Sequence, residues 1–225
     1  MTTPKMIVIK KNELLSFIKK YLPHAPAIVE AGAFDGSDTK KIKEFWPQST
    51  IHSFEPVPEI FALLEKNTTH IAGINRYSMA LSNKTGSAIF HVSEKPSRPN
   101  QPFQAGSLHE PDQRLLFSDA RYPQTISVPT ITLDDWAAAY AIDAIDFLWL
   151  DAQGHELAIL QGATNILKTV TVLYTEVNFI HAYKDQPLYD EIKSWIESQG
   201  FVLIAQDFID QSTWFFGNAL FVKKN

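Results

Sequence analysis

Glu30, Asp35, Asp38 and Glu55 bracket a turn, Gly32-Ala33-Phe34-Asp35-Gly36, which carries two glycines and is followed by no cation before Lys40. Carboxylates accept hydrogen bonds from hydroxyl and ammonium groups, and glycines let a ligand come close to the backbone. Glu55 lies nineteen positions beyond Gly36. At about 20 residues past a glycine turn, an acid in a strand–helix–strand unit is placed to hold the hydroxyls of a ribose. Later in the chain Asp151, His155, Glu176 and His181 are further groups able to move a proton.

The nucleoside that suits this turn follows from its charge. A diphosphate needs a helix N-terminus free of carboxylates, and the spacing here is G-x-x-x-G rather than G-x-G-x-x-G. A nicotinamide dinucleotide is therefore disfavoured. A ligand carrying an ammonium and a sulfonium suits the acidic turn, and S-adenosylmethionine is the expected cofactor. The plainer alternative is an ordinary crossover with Glu55 facing solvent.

Hydrophobic periodicity supplies the elements that must position these groups. Ala27 to Ala31 reads as a buried strand, and Ser37 as the N-cap of a helix bearing Ile42, Phe45 and Trp46 that stops before Pro47. Thr50 to Phe54 reads as a strand, and Pro58 sits near the first turn of a helix with Ile60, Leu63 and Leu64. Further strands are expected at 71–79, 87–92, 126–133, 145–150 and 170–174, and helices at 134–136, 157–160 and 188–199. Phe201 to Ala205 and Thr213 to Val222 have too short a link for a helix, so they must pair antiparallel. Residues 12–22 read as an amphipathic helix ended by Pro23, packed on the sheet or covering the pocket mouth. Residues 93–125 hold five prolines and little periodicity, and read as a lid or acceptor-binding insertion.

With 225 residues, 45% hydrophobic and 20% charged, the chain is expected to form a single domain over residues 1–225, with residues 1–26 as an N-terminal helical extension. A formal net charge of −5 offers no basic field for nucleic acid. Zero cysteines remove disulfides, thiol nucleophiles and cysteine metal sites. MTTPKMIVIKK does not read as a leader, and no run approaches the ~18 apolar residues of a membrane span. A cytoplasmic location is expected.

VEAGAFDGSDT, SFEPVPE, ALSNKTG, VPTITLDDW, IDFLWLDAQGHELAILQGA, TEVNF and NALFVKK, in that order, resemble the FkbM-type methyltransferases from about Ala27 onward. The most specific block is strand-Asp-x-x-Gly-x-Glu, helix, Gly-Ala: Asp151, Gly154, Glu156, Gly162 and Ala163. Departures are Glu30 and Phe34 at the acid and amide positions of the usual Asp-x-Gly-Ala-Asn turn, and Gln153 at the usual acid of Asp-x-Glu-Gly. The resemblance implies an α/β fold of Rossmann-like class I methyltransferase type. Its sheet would be mostly parallel and seven-stranded, with a C-terminal antiparallel hairpin and helices on both faces. It also implies S-adenosylmethionine-dependent O-methylation of a hydroxyl on a sugar, glycan or small metabolite.

By that resemblance Glu30, Gly32 and Ala33 should hold the methionine portion, with Asp35 and Gly36 completing the loop. Glu55 should accept the ribose hydroxyls, Pro56 should lie beside the adenosine, and Ala80 and Leu81 should flank the adenine. Asp151 and Glu176, at strand ends above the transferable methyl, are the leading bases, with His155 and His181 behind them, and Asp151 is also expected to contact the cofactor. Two carboxylates leave a divalent metal open. Trp136, Phe179 and Tyr183 are candidates to stack on a sugar ring. The reading from another class is a non-catalytic module that binds a nucleoside or partner on the same fold.

Overall fold

The computed structural model describes residues 7–224. Residues 1–6, on which the reading of a leader partly rests, and Asn225 lie outside the described residues.

The chain begins with β1 (Ile7–Val8) and a short α1 (Leu14–Ile18) flanked by 3-10 turns, so the helix expected over 12–22 forms in three pieces. Leu14 and Ile18 pack with Ile9, Ile28 and Phe147. The N-terminal helix thus lies on the sheet and not over a pocket mouth. Then β2 (Ala27–Ala31), α2 (Ser37–Phe45), β3 (Thr50–Phe54), α3 (Pro58–Thr68) and β4 (Ile74–Tyr77) follow in alternation. The N-cap of α2 is Gly36 at φ +80°, one residue before the expected Ser37. The Asp35 carboxylate accepts the Ser37 N–H at 3.0 Å.

A second sheet departs here: β5 (Ala80–Leu81), β6 (Gly86–Lys95), β7 (Arg98–Pro102), a single-turn α4 (Arg114–Phe117) and β8 (Arg121–Ile131). Its order is β5-β8-β6-β7. β6 and β8 pair antiparallel from Gly86↔Thr130 to Glu94↔Arg121. Residues 93–95, 98–102 and 121–125 of the expected irregular insertion are therefore β-ribbon, while 103–120 is irregular apart from α4. Its prolines stand at β7, in the connections and on β8, where a missing N–H is tolerated at edges and irregularities.

The chain returns through α5 (Leu133–Ala139), β9 (Phe147–Leu150), α6 (Glu156–Gln161), β10 (Val172–Asn178), α7 (Tyr189–Ser198), β11 (Phe201–Gln206) and β12 (Phe216–Lys223). The main sheet has the order β1-β11-β12-β10-β9-β2-β3-β4. It is parallel except around β12, which runs antiparallel to both β10 and β11. Seven of its strands are those expected, and β1 adds an eighth at the edge.

Burial on both faces explains why the central strands read as apolar runs. In β9, Leu148 and Leu150 face one core cluster with Trp136, Leu160 and Ile192, while Phe147 and Trp149 face the other with Ile28 and Ile42. Phe90, Val92 and Val128 of the second sheet pack on Val57, Ile60 and Phe34, which ties the ribbon to the glycine turn and α3.

Candidate active site

A pocket of about 560 Å³ is lined by residues at the carboxyl ends of β2, β3, β9 and β10 and by the ribbon. That volume falls within the roughly 300–1,000 Å³ usual for small-molecule sites, and strand carboxyl ends are where open α/β sheets hold ligands.

One wall is the glycine turn. The Gly32 and Ala33 N–H groups both donate to the Phe54 carbonyl, at 3.1 and 3.0 Å, clamping the turn to the end of β3. Gly32 has φ +81°, and a Cβ there would stand 1.9 Å from the Asp151 carbonyl oxygen, so only glycine fits. The Glu55 carboxylate accepts the Phe34 N–H at 3.2 Å and the Val57 N–H at 2.9 Å. Glu30 accepts from Ser53 Oγ at 2.9 Å and from Thr39 Oγ1. Burial pushes both carboxyls up to about 7 despite these hydrogen bonds. Asp35, Pro56, Ala80 and Leu81 line the same side. Gly36 does not reach the pocket; it starts α2 against Leu64 and Thr68. Asp38 pairs with Lys41 at 2.8 Å, which supplies a cation within this acidic wall.

The opposite wall is assembled from side chains. Asp151 follows β9, and its N–H donates to the Ala31 carbonyl at 3.1 Å, continuing the β2–β9 ladder to the edge of the turn. Glu176 lies inside β10 and not at its end. It reaches the pocket because β10 runs three residues beyond its last pairing with β9, Thr175↔Leu150. The Gln153 amide nitrogen donates to Asp151 Oδ1 at 2.7 Å and to both Glu176 oxygens at 3.2 Å, bridging the two acids. Burial, then the charges of Asp151 and Glu156, push the Glu176 carboxyl well above its usual range. Glu156, fully buried, accepts the Ala152 and Gly154 N–H groups and so holds the loop in which Gln153 has φ +52°. Gln153 thus supplies an amide donor where a third carboxylate would add repulsion.

His155 also lines the pocket. Its Nε2 stands 3.0 Å from Ser82 Oγ, its Nδ1 3.0 Å from His109 Nε2, and His109 Nδ1 lies 3.0 Å from the Lys184 carbonyl. A carbonyl only accepts, so His109 carries its proton on Nδ1, His155 donates from Nδ1, and Ser82 donates to His155 Nε2. The chain closes with both imidazoles neutral, and burial lowers both, His155 to about 4.

The remaining expected site residues lie elsewhere. The His181 side chain is exposed and outside the pocket; its carbonyl instead accepts the Gln113 N–H. Trp136 and Tyr183 are fully buried and Phe179 packs on the core, so none offers a face to a sugar. The aromatic rings in the pocket wall include Phe34, Phe90, Phe103 and Phe216. Arg114, His109 and Phe216 carry no sequence signal that singles them out, although the first two fall within the insertion expected to serve the acceptor. Among the described residues no group of three or more His, Asp or Glu side chains is placed to hold a metal ion, and no helix is long and apolar enough to cross a membrane.

Residues 30–203 match the sequence model of the family described as "Methyltransferase FkbM domain". The 2-O-methyltransferase NoeI of Sinorhizobium fredii (strain NBRC 101917 / NGR234) is 30% identical over 166 residues, 73% of this chain and 66% of NoeI. The hexuronic acid methyltransferase AglP of Haloferax volcanii is 24% identical over 132 residues, 58% of this chain and 48% of AglP. The chain therefore spans about two thirds of the one relative and about half of the other. Magnesium protoporphyrin IX methyltransferase (ChlM) from Synechocystis PCC 6803, solved with bound S-adenosylmethionine, matches with a TM-score of 0.51 and 11% identity. That match covers 95% of this chain and 77% of ChlM, and shows a shared fold.

Proposed function

The chain belongs to the FkbM methyltransferase family, whose enzymes use S-adenosylmethionine, and from that membership we propose that it methylates a hydroxyl group of a sugar. The name of NoeI, a 2-O-methyltransferase, supports transfer to oxygen, and that of AglP, a hexuronic acid methyltransferase, supports a sugar acceptor. The observation that carries the reading is the meeting of two unlike walls at one point: the Gly32 backbone packs directly on the Asp151 carbonyl. Groups suited to a nucleoside thereby lie beside a strand-end acid.

The donor set fits the cofactor. Glu30 and Asp35 face its cationic methionine end, Glu55 accepts its ribose hydroxyls, Pro56 lies beside the adenosine, and the small Ala80 and Leu81 flank the adenine. Bound S-adenosylmethionine supplies an electrophilic methyl group. A sugar hydroxyl is a poor nucleophile near neutral pH, so Asp151 takes its proton as general base. Gln153 orients that carboxylate by donating to it. Burial and the charges of Asp151 and Glu156 push the Glu176 carboxyl up, which disfavours a second negative charge beside the reacting oxygen. Most of the acceleration comes from aligning the oxygen with the methyl group. His155 acts as a positioning residue, since both its nitrogens are engaged.

The test is calorimetric titration with S-adenosylhomocysteine, with NAD as control, followed by transfer of labelled methyl from S-adenosylmethionine to a panel of glycosides. Saturable binding of the first ligand alone, with label appearing in a glycoside ether, is the expected result. A protein that binds the cofactor yet labels no glycoside hydroxyl refutes the acceptor class.

A further inference from the structure

Arg114 is only 8% exposed and lines the pocket on the ribbon side. Its Nε has no hydrogen-bond partner, and among the described residues no carboxylate lies within ion-pairing distance of the guanidinium. Its plane lies near two aromatic rings, 5.4 Å from the centre of Phe117 and 5.7 Å from that of Phe216. Phe216 itself lines the pocket. The side chain is not loosely parked there. The Asp112 and Arg114 N–H groups both donate to the Ala182 carbonyl, and the Gln113 N–H donates to that of His181, so the turn that presents Arg114 is pinned.

A cation taken out of water without an anion is costly, and a fold tolerates it where a ligand will supply the anion. The acid that feels this charge, Glu176, lies beyond ion-pairing distance of it, and burial with the charges of Asp151 and Glu156 pushes its carboxyl up. Lys41, the other lysine or arginine in the lining, is already paired with Asp38. Arg114 therefore lines the pocket that holds Asp151 and Glu176 as a guanidinium with a planar donor fork and no ion pair among the described residues. A fork of that shape fits a carboxylate or a phosphate. A single guanidinium beside two acids balances a monoanion and leaves a dianion in excess.

We propose that the acceptor is an acidic sugar whose carboxylate is bound by Arg114 while a ring hydroxyl faces Asp151. The half-exposed Phe216 ring, next to the guanidinium, takes the apolar face of that sugar. This rests on the sugar-methylating reading and adds what that reading leaves open, the charge of the substrate. In the reaction the hydroxyl oxygen gains the methyl as the methyl–sulfur bond of the donor breaks and S-adenosylhomocysteine leaves, the hydroxyl proton passes to Asp151, and the carboxylate is an anchor that is not itself methylated.

The experiment titrates the protein, loaded with S-adenosylhomocysteine, with methyl glucuronoside, with the methyl ester of that glycoside, and with glucose 6-phosphate. The free acid should bind tighter than its ester by on the order of 10–100-fold and tighter than the phosphate. Arg114→Gln should erase the preference and Arg114→Lys should keep part of it, with the affinity for S-adenosylhomocysteine unchanged in both. Equal binding of acid and ester, tighter binding of the phosphate, no binding of the acid, or a preference surviving Arg114→Gln would each overturn the proposal. So would an alkali-labile methyl ester as product. If Arg114→Gln fails to fold, the acid–ester comparison on the unaltered protein decides. Arg114-dependent binding of the acid without methyl transfer leaves the anion site standing and removes the transfer reading. Equal methylation of neutral and acidic glycosides does the reverse.

Discussion

The two walls of the pocket are held by different forces. The glycine-turn wall is fastened through backbone N–H groups: those of Gly32 and Ala33 on the Phe54 carbonyl, and those of Phe34 and Val57 on the Glu55 carboxylate, the one side chain among these contacts. Those contacts come from two consecutive strands. The opposite wall is fastened mainly through side chains of distant segments: Gln153 between Asp151 and Glu176, and Ser82–His155–His109 on the Lys184 carbonyl. A backbone-held wall can change its side chains and keep its shape. A wall built of side chains changes shape with each substitution, so acceptor choice can shift there while cofactor binding stays constant.

The sharpest way to break that separation is at the seam. Gly32→Ala puts a Cβ against the Asp151 carbonyl and forces alanine to φ +81°. The expected outcome is a loss of at least about 3 kcal/mol in urea unfolding, with both ligand sites impaired. Unchanged stability would show that the walls do not share this contact. Asp151→Asn should affect the acceptor side alone. Turnover should fall by about 10²–10⁴, with affinity for S-adenosylhomocysteine within about threefold of normal; normal turnover would make Asp151 structural. Glu55→Gln is the mirror experiment. It should weaken cofactor binding by about 10–100-fold, the worth of hydrogen bonds to a charged group, and leave turnover at saturating cofactor nearly unchanged. His109→Ala removes one link of the histidine chain and should raise the KM for acceptor by about fivefold, one ordinary hydrogen bond, without touching cofactor affinity.

The smallest effects come from pH, and they carry opposite signs on the two walls. Glu30 and Glu55 are raised to about 7, so their contribution to the stability of the ligand-free protein is present below about 4.5 and is lost as pH rises through 7. Cofactor binding needs the carboxylates. Calorimetry should therefore show affinity rising severalfold from pH 6 to 8, with protons released on binding. His155 is depressed to about 4 and His109 is lowered as well, so the stability of their link is present above 6.5 and fades as pH falls toward 4. Hydrogen exchange of the 86–131 ribbon should accelerate over that acid range. If it does not, the histidine chain contributes nothing to holding the ribbon.

How much of this could be read beforehand divides along the same line. Gly32, Glu30 and Glu55 announce themselves because a turn, a helix start and an acid at fixed spacing all lie within one stretch of 26 residues, 30–55. Asp151 and Glu156 were legible as a local motif after an apolar strand. The ribbon was not legible as a sheet, since β6 finds its partner β8 across the whole excursion, Glu94 against Arg121. Strand pairing at such separation leaves no mark in either segment. His181, in the loop after the Glu176 strand, is expected from sequence as a candidate base and Tyr183 as a ring to stack on a sugar. In the structure that loop packs against α4, which buries Tyr183 and turns His181 outward.

Taken alone, the sequence determined the alternation of strands and helices, the acidic glycine turn and the strand-end acid, because each is specified by periodicity or conformational preference within a few residues. Only the tertiary structure decided that Arg114 lines the same pocket as Asp151, that His109 holds His155, that Glu176 is bridged to Asp151 by Gln153, and that the buried guanidinium there has no ion pair among the described residues. Burial and uncompensated charge are properties of neighbours in space, and the chain brings those neighbours together only when it folds.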